Sequence, residues 1–275
     1  MSFAGLRHRG TRRVAAAVVA TAAISLCVTP AALAEDTPTS PGQETFTGET
    51  TGGLPVESFA WLVAAEKKQK PLSGEITKKS RRAKIERLQT QLGWAGYEWL
   101  WVTGVMDGGT ALALQMLQGK YLLPVTGKAD AKTVKKLVSV AGDGKLDPRC
   151  LGDGVTLCVS KDQRVTRYVK NGGVLKTLNT NFGPEKGHPK YGMYSATREG
   201  VFRTFDRQES TVSTLYGYVM PFWMGFDGGI GFHYSAYFDE TGYIDTSMGC
   251  TTIADYAGMK WLYDNSPLGT KVVVY

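Results

Sequence analysis

RVTRYVKNGGVLKTLNT, residues 164–180, is where the chain stops reading as helix and begins to read as sheet. Two β-rich arms, Arg164–Lys170 and Val174–Thr180, flank Asn171-Gly172-Gly173. Asn-Gly supplies the positive φ angles of a tight turn, so the arms are expected to pair as an antiparallel hairpin. Downstream, short strands are expected at Gly200–Phe205, Gly229–Ser235 and Lys271–Tyr275. One helix, from about Ile253 to Asp264, interrupts them.

Upstream the pattern is helical. Ser80 to Leu92 places Ile85, Leu88 and Leu92 on one face, and a shorter helix is expected over Glu57 to Lys68. An internal repeat follows: TGVMDGGT (Thr103–Thr110) and TGKADAKT (Thr126–Thr133) share T-G-x-x-D-x-x-T, and each precedes an apolar helical run. Asp107 and Asp130 are placed to cap those helices, with Gly104 and Gly127 permitting the approach turn. With LQTQLGWAGY (Leu88–Tyr97), this region, about residues 75–140, resembles a three-helix peptidoglycan-binding domain. Bare capping of a generic three-helix bundle is the other reading.

The N-terminus reads as a targeting segment. Arg7, Arg9, Arg12 and Arg13 precede an apolar run from Val14 to Val28, and Ala32-Leu33-Ala34 is a small-x-small cleavage site, so residues 1–34 are expected to be a secretory signal. The run is too short for a stable membrane anchor. Cys27 lacks the small residue that a lipoprotein signal places before its cysteine, so release is expected. Removing four arginines from 32 basic residues leaves 28 against 25 acidic, lowering the net charge from +7 to +3. That argues against nucleic acid, which calls for a concentrated basic face. Residues 35–56, rich in Thr, Gly, Pro and Glu, are expected to be a flexible linker.

Past the leader three cysteines remain. Cys150 and Cys158 enclose a Gly/Asp turn and are expected to pair in an oxidising compartment. Cys250, within DTSMGCTTI (Asp245–Ile253), is left over. Thr252 and Asp255 fit a Ser/Thr-x-x-Asp helix start, which would set Cys250 at a helix N-terminus that favours thiolate. A base is then needed. His188 sits in a Gly/Pro/Lys loop and reads as solvated, whereas His233 lies in the strand-like GIGFHYS. Backbone N–H groups of Met248, Gly249 and Cys250 could stabilise an oxyanion.

HYS followed by SMGCTTI resembles the active-site region of L,D-transpeptidases, and TREGVF (Thr197–Phe202), MPFWMGF (Met220–Phe226) and LGTKVVVY (Leu268–Tyr275) resemble other segments of that domain. The similarity spans about residues 151–275. It implies a multidomain chain: a three-helix peptidoglycan-binding bundle, then a mainly β, sandwich-like catalytic domain with one helix after the nucleophile. It implies Cys250 as nucleophile, His233 as base and the Tyr234 carbonyl as its orienting group. Ser235, Ser247, Thr252 and Trp223 are expected at the substrate; the aromatic set to which Trp223 belongs is also expected to be core in part, with Gly225, Gly228 and Gly229 beside it marking a mobile flap. The acids Asp239, Glu240 and Asp245 are expected in a solvated loop.

Two positions depart from the family pattern: Met248 replaces its histidine, and Thr252 its Asn or Arg. The resemblance implies no cofactor and no metal. The expected partners are peptidoglycan stem peptides and glycan, with carbapenem β-lactams as covalent inhibitors, and the expected location is the outside of the cell at the wall. The implied reaction transfers a tetrapeptide stem to Cys250, releases D-alanine and forms 3→3 cross-links. Two other readings stay open: a catalytically silent wall-binding protein, and an L,D-carboxypeptidase or enzyme with another acyl acceptor.

Overall fold

The computed structural model of the chain describes residues 70–184 and 196–275. The expected leader, the linker, the helix over 57–68 and His188 lie outside them.

The first domain is a three-helix bundle of α1 (Arg82–Trp94), α2 (Gly108–Lys120) and α3 (Ala131–Ala141). Ile85, Leu88 and Leu92 are buried on one face of α1, as their spacing requires. Asp107 accepts the Thr110 N–H at 2.7 Å and Asp130 the Thr133 N–H at 2.8 Å. Each cap contributes about 1 kcal/mol. Gly104 and Gly127 adopt φ of +71° and +68°, the left-handed region that a side chain resists. The repeat extends further than its pattern reveals, because a fully buried glutamine serves each copy. Gln89 accepts from the N–H groups of Thr103 and Gly104 and donates to Thr103, Val105 and Thr110. Gln118 does the same for Thr126, Gly127, Lys128 and Thr133. These amides satisfy backbone groups that burial would otherwise leave unpaired.

Among the described residues the second domain has nine strands: β1 (Val155–Ser160), β2 (Val165–Lys170), β3 (Gly173–Asn181), β4 (Gly200–Arg203), β5 (Asp206–Val212), β6 (Val219–Asp227), β7 (Ile230–Tyr234), β8 (Thr251–Ile253) and β9 (Lys271–Val274). Two helices accompany them, α4 (Ala236–Thr241) and α5 (Tyr256–Asn265). The β2–β3 hairpin forms as expected, with Asn171 and Gly172 at φ +51° and +77°. The strands form a mainly β domain, as expected, in the order β4-β9-β1-β2-β3-β8-β7-β6-β5, with β3 joining the half that contains β1, β2, β4 and β9 to the half that contains β5–β8. Its edge strands β4 and β5 are separated in sequence only by Thr204 and Phe205, so the sheet must curl until its edges meet. Phe205 N–H accordingly donates to Gly225 O of β6 at 2.9 Å, and Phe202 of β4 packs on Phe226 of β6. Cys158 lies inside β1 and is disulfide-bonded to Cys150, with Cα atoms 5.9 Å apart.

The two domains share a polar interface. Arg167 of β2 pairs with Glu98 at 3.0 Å and donates to Trp94 O, and Gln163 donates to Ala141 O. Lys120, at the end of α2, is 2% exposed, with its ammonium over the Tyr97 ring and donating to Gln163 O. Burial, reinforced by Arg167, pushes its pKa down to about 7. An unfolded lysine holds its proton to about 10.5. The penalty for burying the charge is therefore full below pH 7 and is relieved as pH rises toward 10.5. Lys120→Met should gain most in melting temperature over the wild type near about pH 6 and least near about pH 9. Thermal melts at both values check this, and an equal gap at both would mean that Lys120 stays charged throughout.

Candidate active site

β7 and β8 run parallel, with Phe232 opposite Thr251, His233 opposite Thr252 and Tyr234 opposite Ile253. A parallel pair needs a long crossover, and residues 235–250 provide it through α4, a 3-10 turn at Gly242–Ile244 and the Ser247–Cys250 turn. Side chains alternate along a strand. Extending the register by one residue sets Cys250 opposite Gly231, so Cys250, Gly231 and His233 share one face. The Gly231 N–H is directed at the Cys250 sulfur, and the thiol donates to Gly229 O at 3.9 Å. The thiol is partly accessible, yet its surroundings desolvate it enough to push its pKa up to about 11.

This corrects the expected electrostatics of the nucleophile. Cys250 precedes a strand, not a helix, and α5 starts three residues beyond that strand with Asp255 as its cap, accepting the Gly258 N–H at 2.8 Å. Among the described residues no helix N-terminus is set at Cys250 to favour the thiolate, and with its pKa pushed up the resting group is a thiol. Thr252 is not an N-cap: it lies buried in β8, with its hydroxyl 3.5 Å from Asn181 O.

His233 is buried on β7, with Nδ1 2.7 Å from Tyr234 O. A carbonyl can only accept, so the proton sits on Nδ1 and Nε2 carries the free lone pair. Burial lowers the imidazole pKa from its ordinary value, outweighing the Tyr234 bond that raises it. The imidazole is therefore neutral at physiological pH. Among the described residues no hydrogen bond joins His233 to Cys250; the thiol proton points at the β6–β7 hairpin instead. Rotation of the cysteine about χ1 is the step that would redirect it, and such contacts are often long before substrate binds.

The other expected site residues occupy structural posts. Trp223 is buried, with its indole N–H on Asp206 at 2.8 Å and its ring centroid 6.3 Å from that of His233. It forms the wall behind the imidazole rather than a face open to substrate. Ser235 caps α4 by accepting the Phe238 N–H. Ser247 donates to Cys250 O and accepts the Gly249 N–H at 3.2 Å. That N–H is thus engaged, and of the three expected oxyanion donors only those of Met248 and Cys250 remain candidates. Met248 itself is 36% exposed at the rim. Asp239, Glu240 and Asp245 are all exposed, as expected, but the first two belong to α4 rather than to a loop, and Asp245 accepts the Tyr237 hydroxyl.

Among the described residues no group of His, Cys, Asp or Glu is arranged to hold a metal ion, and no helix is long and apolar enough to cross a membrane.

Compared with models of known families, residues 154–274 match the L,D-transpeptidase catalytic domain known as YkuD, and residues 81–137 match a putative peptidoglycan binding domain. The chain carries a YkuD domain behind a peptidoglycan-binding domain. Solved structures similar to it include an L,D-transpeptidase from Xylanimonas cellulosilytica, 25% identical, covering 75% of this chain and 100% of that one with a TM-score of 0.44. Another, from Stackebrandtia nassauensis, is 20% identical and covers 75% of this chain and 95% of that one, with a TM-score of 0.49. An L,D-transpeptidase solved in complex with imipenem is 19% identical, covering 45% of this chain and 60% of that one, with a TM-score of 0.38. No curated protein matches.

Four residues of the YkuD domain escaped the sequence reading. Thr197 donates to Gly249 O at 2.6 Å and accepts the Gly183 N–H at 3.0 Å, and Asn181 donates to Asp245 O at 2.7 Å. Together they pin the turn that presents Cys250, with Gly249 at φ +108°. Asp206 holds Trp223, and Gly231 supplies the N–H to sulfur. Only Gly231, a glycine inside a strand pattern, carries a signal in sequence, because such a glycine marks a close approach.

Proposed function

We propose that the protein is a secreted, wall-associated L,D-transpeptidase that uses Cys250 and His233. The observation that carries this reading is His233, buried with Nδ1–H held by Tyr234 O, on the same sheet face as the cysteine. In the proposed cycle, Nε2 takes the thiol proton as sulfur attacks the carbonyl of the third stem residue. The resulting imidazolium gives that proton to the departing D-alanine amine, and a thioester remains on Cys250. The side-chain amine of a neighbouring stem then attacks the thioester, His233 accepts its proton, and the thiol is restored with a 3→3 link formed. Water in place of the amine gives trimming instead. The N-terminal bundle would hold the enzyme on peptidoglycan, and β-lactams of the carbapenem type would acylate the same sulfur.

A second reading has its own support. The thiol is desolvated and aimed away from His233, and Met248 adds no polar group beside it. A catalytically silent wall-binding protein would look the same. Intact-mass measurement after incubation with tetrapeptide stems separates the two: the enzyme gains a tripeptide acyl adduct and releases free D-alanine, while the silent protein does neither. Met248→His is the companion variant. Acylation of that variant alone would assign the silence to methionine.

A further inference from the structure

One side chain bridges the bundle and the active-site crossover where α2 packs against it. Arg164, in the β1–β2 turn, adopts a left-handed φ of +53°. Its guanidinium lies 5.6 Å from the ring centroid of Tyr121, at the end of α2, and 5.1 Å from that of Tyr243. Nη1 also donates to Lys120 O at 2.9 Å. Two further bonds fasten the same turn to α2: Tyr121 hydroxyl to Asp162 O at 2.6 Å, and Lys120 ammonium to Gln163 O at 3.2 Å. Tyr243 belongs to the 3-10 turn at Gly242–Ile244, against which α2 packs. That turn leads within seven residues into Cys250. Tyr243 also stacks edge-on with Phe238 of α4, so it is tied to both limbs of the crossover.

The geometry points to Arg164 as a positioning residue for the nucleophile: by clamping Tyr121 of the helical domain to Tyr243 of the crossover, it makes the docked peptidoglycan-binding domain part of what holds the Cys250 turn. A planar guanidinium can face two aromatic rings and still donate to a carbonyl, which a lysine ammonium on a flexible stem does not reproduce. The other anchors of the crossover among the described residues lie toward its two ends. Asn181, Thr197 and the Ser247 N–H on Phe182 O fix its last residues, whereas Tyr243 fixes its middle. In this arrangement the bundle supports catalysis in addition to binding the wall. The claim rests on the reading of Cys250 as the nucleophile.

The test uses the full-length protein and four variants: Arg164→Ala, Arg164→Lys, Tyr121→Leu and Tyr243→Phe. Three readouts are taken: deuterium uptake over residues 236–250, alkylation of Cys250 by iodoacetamide followed on its own peptide, and acylation of Cys250 by imipenem. Arg164→Ala and Tyr121→Leu should raise uptake in 236–250 and change the alkylation rate, and should slow acylation about 2- to 30-fold, the range for coupling carried through packed contacts. Arg164→Lys should fall between these and the wild type, and Tyr243→Phe, which keeps the ring, should match the wild type. Uptake and acylation at wild-type levels in Arg164→Ala would overturn the inference. So would uptake rising equally across all nine strands, which would mean a general loss of stability. A wild type that imipenem never acylates would instead defeat the reading of Cys250, and exchange and alkylation would still decide the clamp.

Discussion

His233→Ala is expected to slow covalent trapping of Cys250 by imipenem by roughly two to four orders of magnitude, the scale of losing a general base, and Cys250→Ala to abolish it. The pH dependence makes this specific to proton transfer. In the wild type the proposed base is the neutral imidazole, whose pKa burial holds below its ordinary value. Trapping should therefore rise through an acid limb lying below about pH 6.5, the unperturbed histidine value, and level off through neutrality. In His233→Ala the only nucleophile is pre-formed thiolate, and Cys250 ionises at about 11. Its rate should climb close to tenfold per pH unit across the neutral range. Stopped-flow or intact-mass rates over that range check both curves. A His233→Ala profile parallel to the wild type would remove the histidine from the proton path.

Gly231→Ala is expected to be nearly as damaging, although it alters no ionisable group. A β-carbon at that position would lie 2.5 Å from Met224 O and 2.8 Å from the Trp223 ring. Both neighbours are held: Met224 by its pairing opposite Phe232, and Trp223 by its bond to Asp206. Relief requires the β6–β7 hairpin to shift, and overpacking of this kind costs about 1–3 kcal/mol of stability. The same shift moves the Gly231 N–H off the sulfur and the Trp223 wall off His233. Trapping should then fall by about two orders of magnitude even in protein that remains folded, since misplacement of about 1 Å costs that much. Circular dichroism melts together with trapping rates on the folded fraction test it. Loss of stability with wild-type trapping would show that the hairpin has no part in setting the site.

Particular residues show what could be seen beforehand. Asp107 and Asp130 were legible as caps because capping is decided within three residues, and the Asn171-Gly172 turn because positive φ is a local demand. The paired cysteines and the cysteine–histidine pair were legible as residue types. The location of Cys250 at a helix entrance was not: Thr252 and Asp255 match a capping pattern, but the pairing of Thr251–Ile253 with β7 and β3 takes those residues for the sheet, and the helix starts later, at Tyr256, with Asp255 as its cap. Trp223, Ser235, Ser247 and Thr252 have side chains equally suited to substrate or to scaffold, and only their neighbours show that each is already engaged.

The sequence by itself therefore determined the two-domain order, the three helices with aspartate caps on the second and third, the β character of the second half and which thiol and imidazole the chain has to offer. All of these rest on interactions between residues close along the chain, or on which chemical groups the chain possesses. Tertiary structure alone decided the closure of nine strands into one curled sheet, the protonation of thiol and imidazole, the engagement of the Gly249 N–H and the clamp of Arg164 between domains. Each depends on groups far apart in the chain being brought together, and burial created by that assembly, rather than any local pattern, raises the thiol pKa and lowers that of the imidazole.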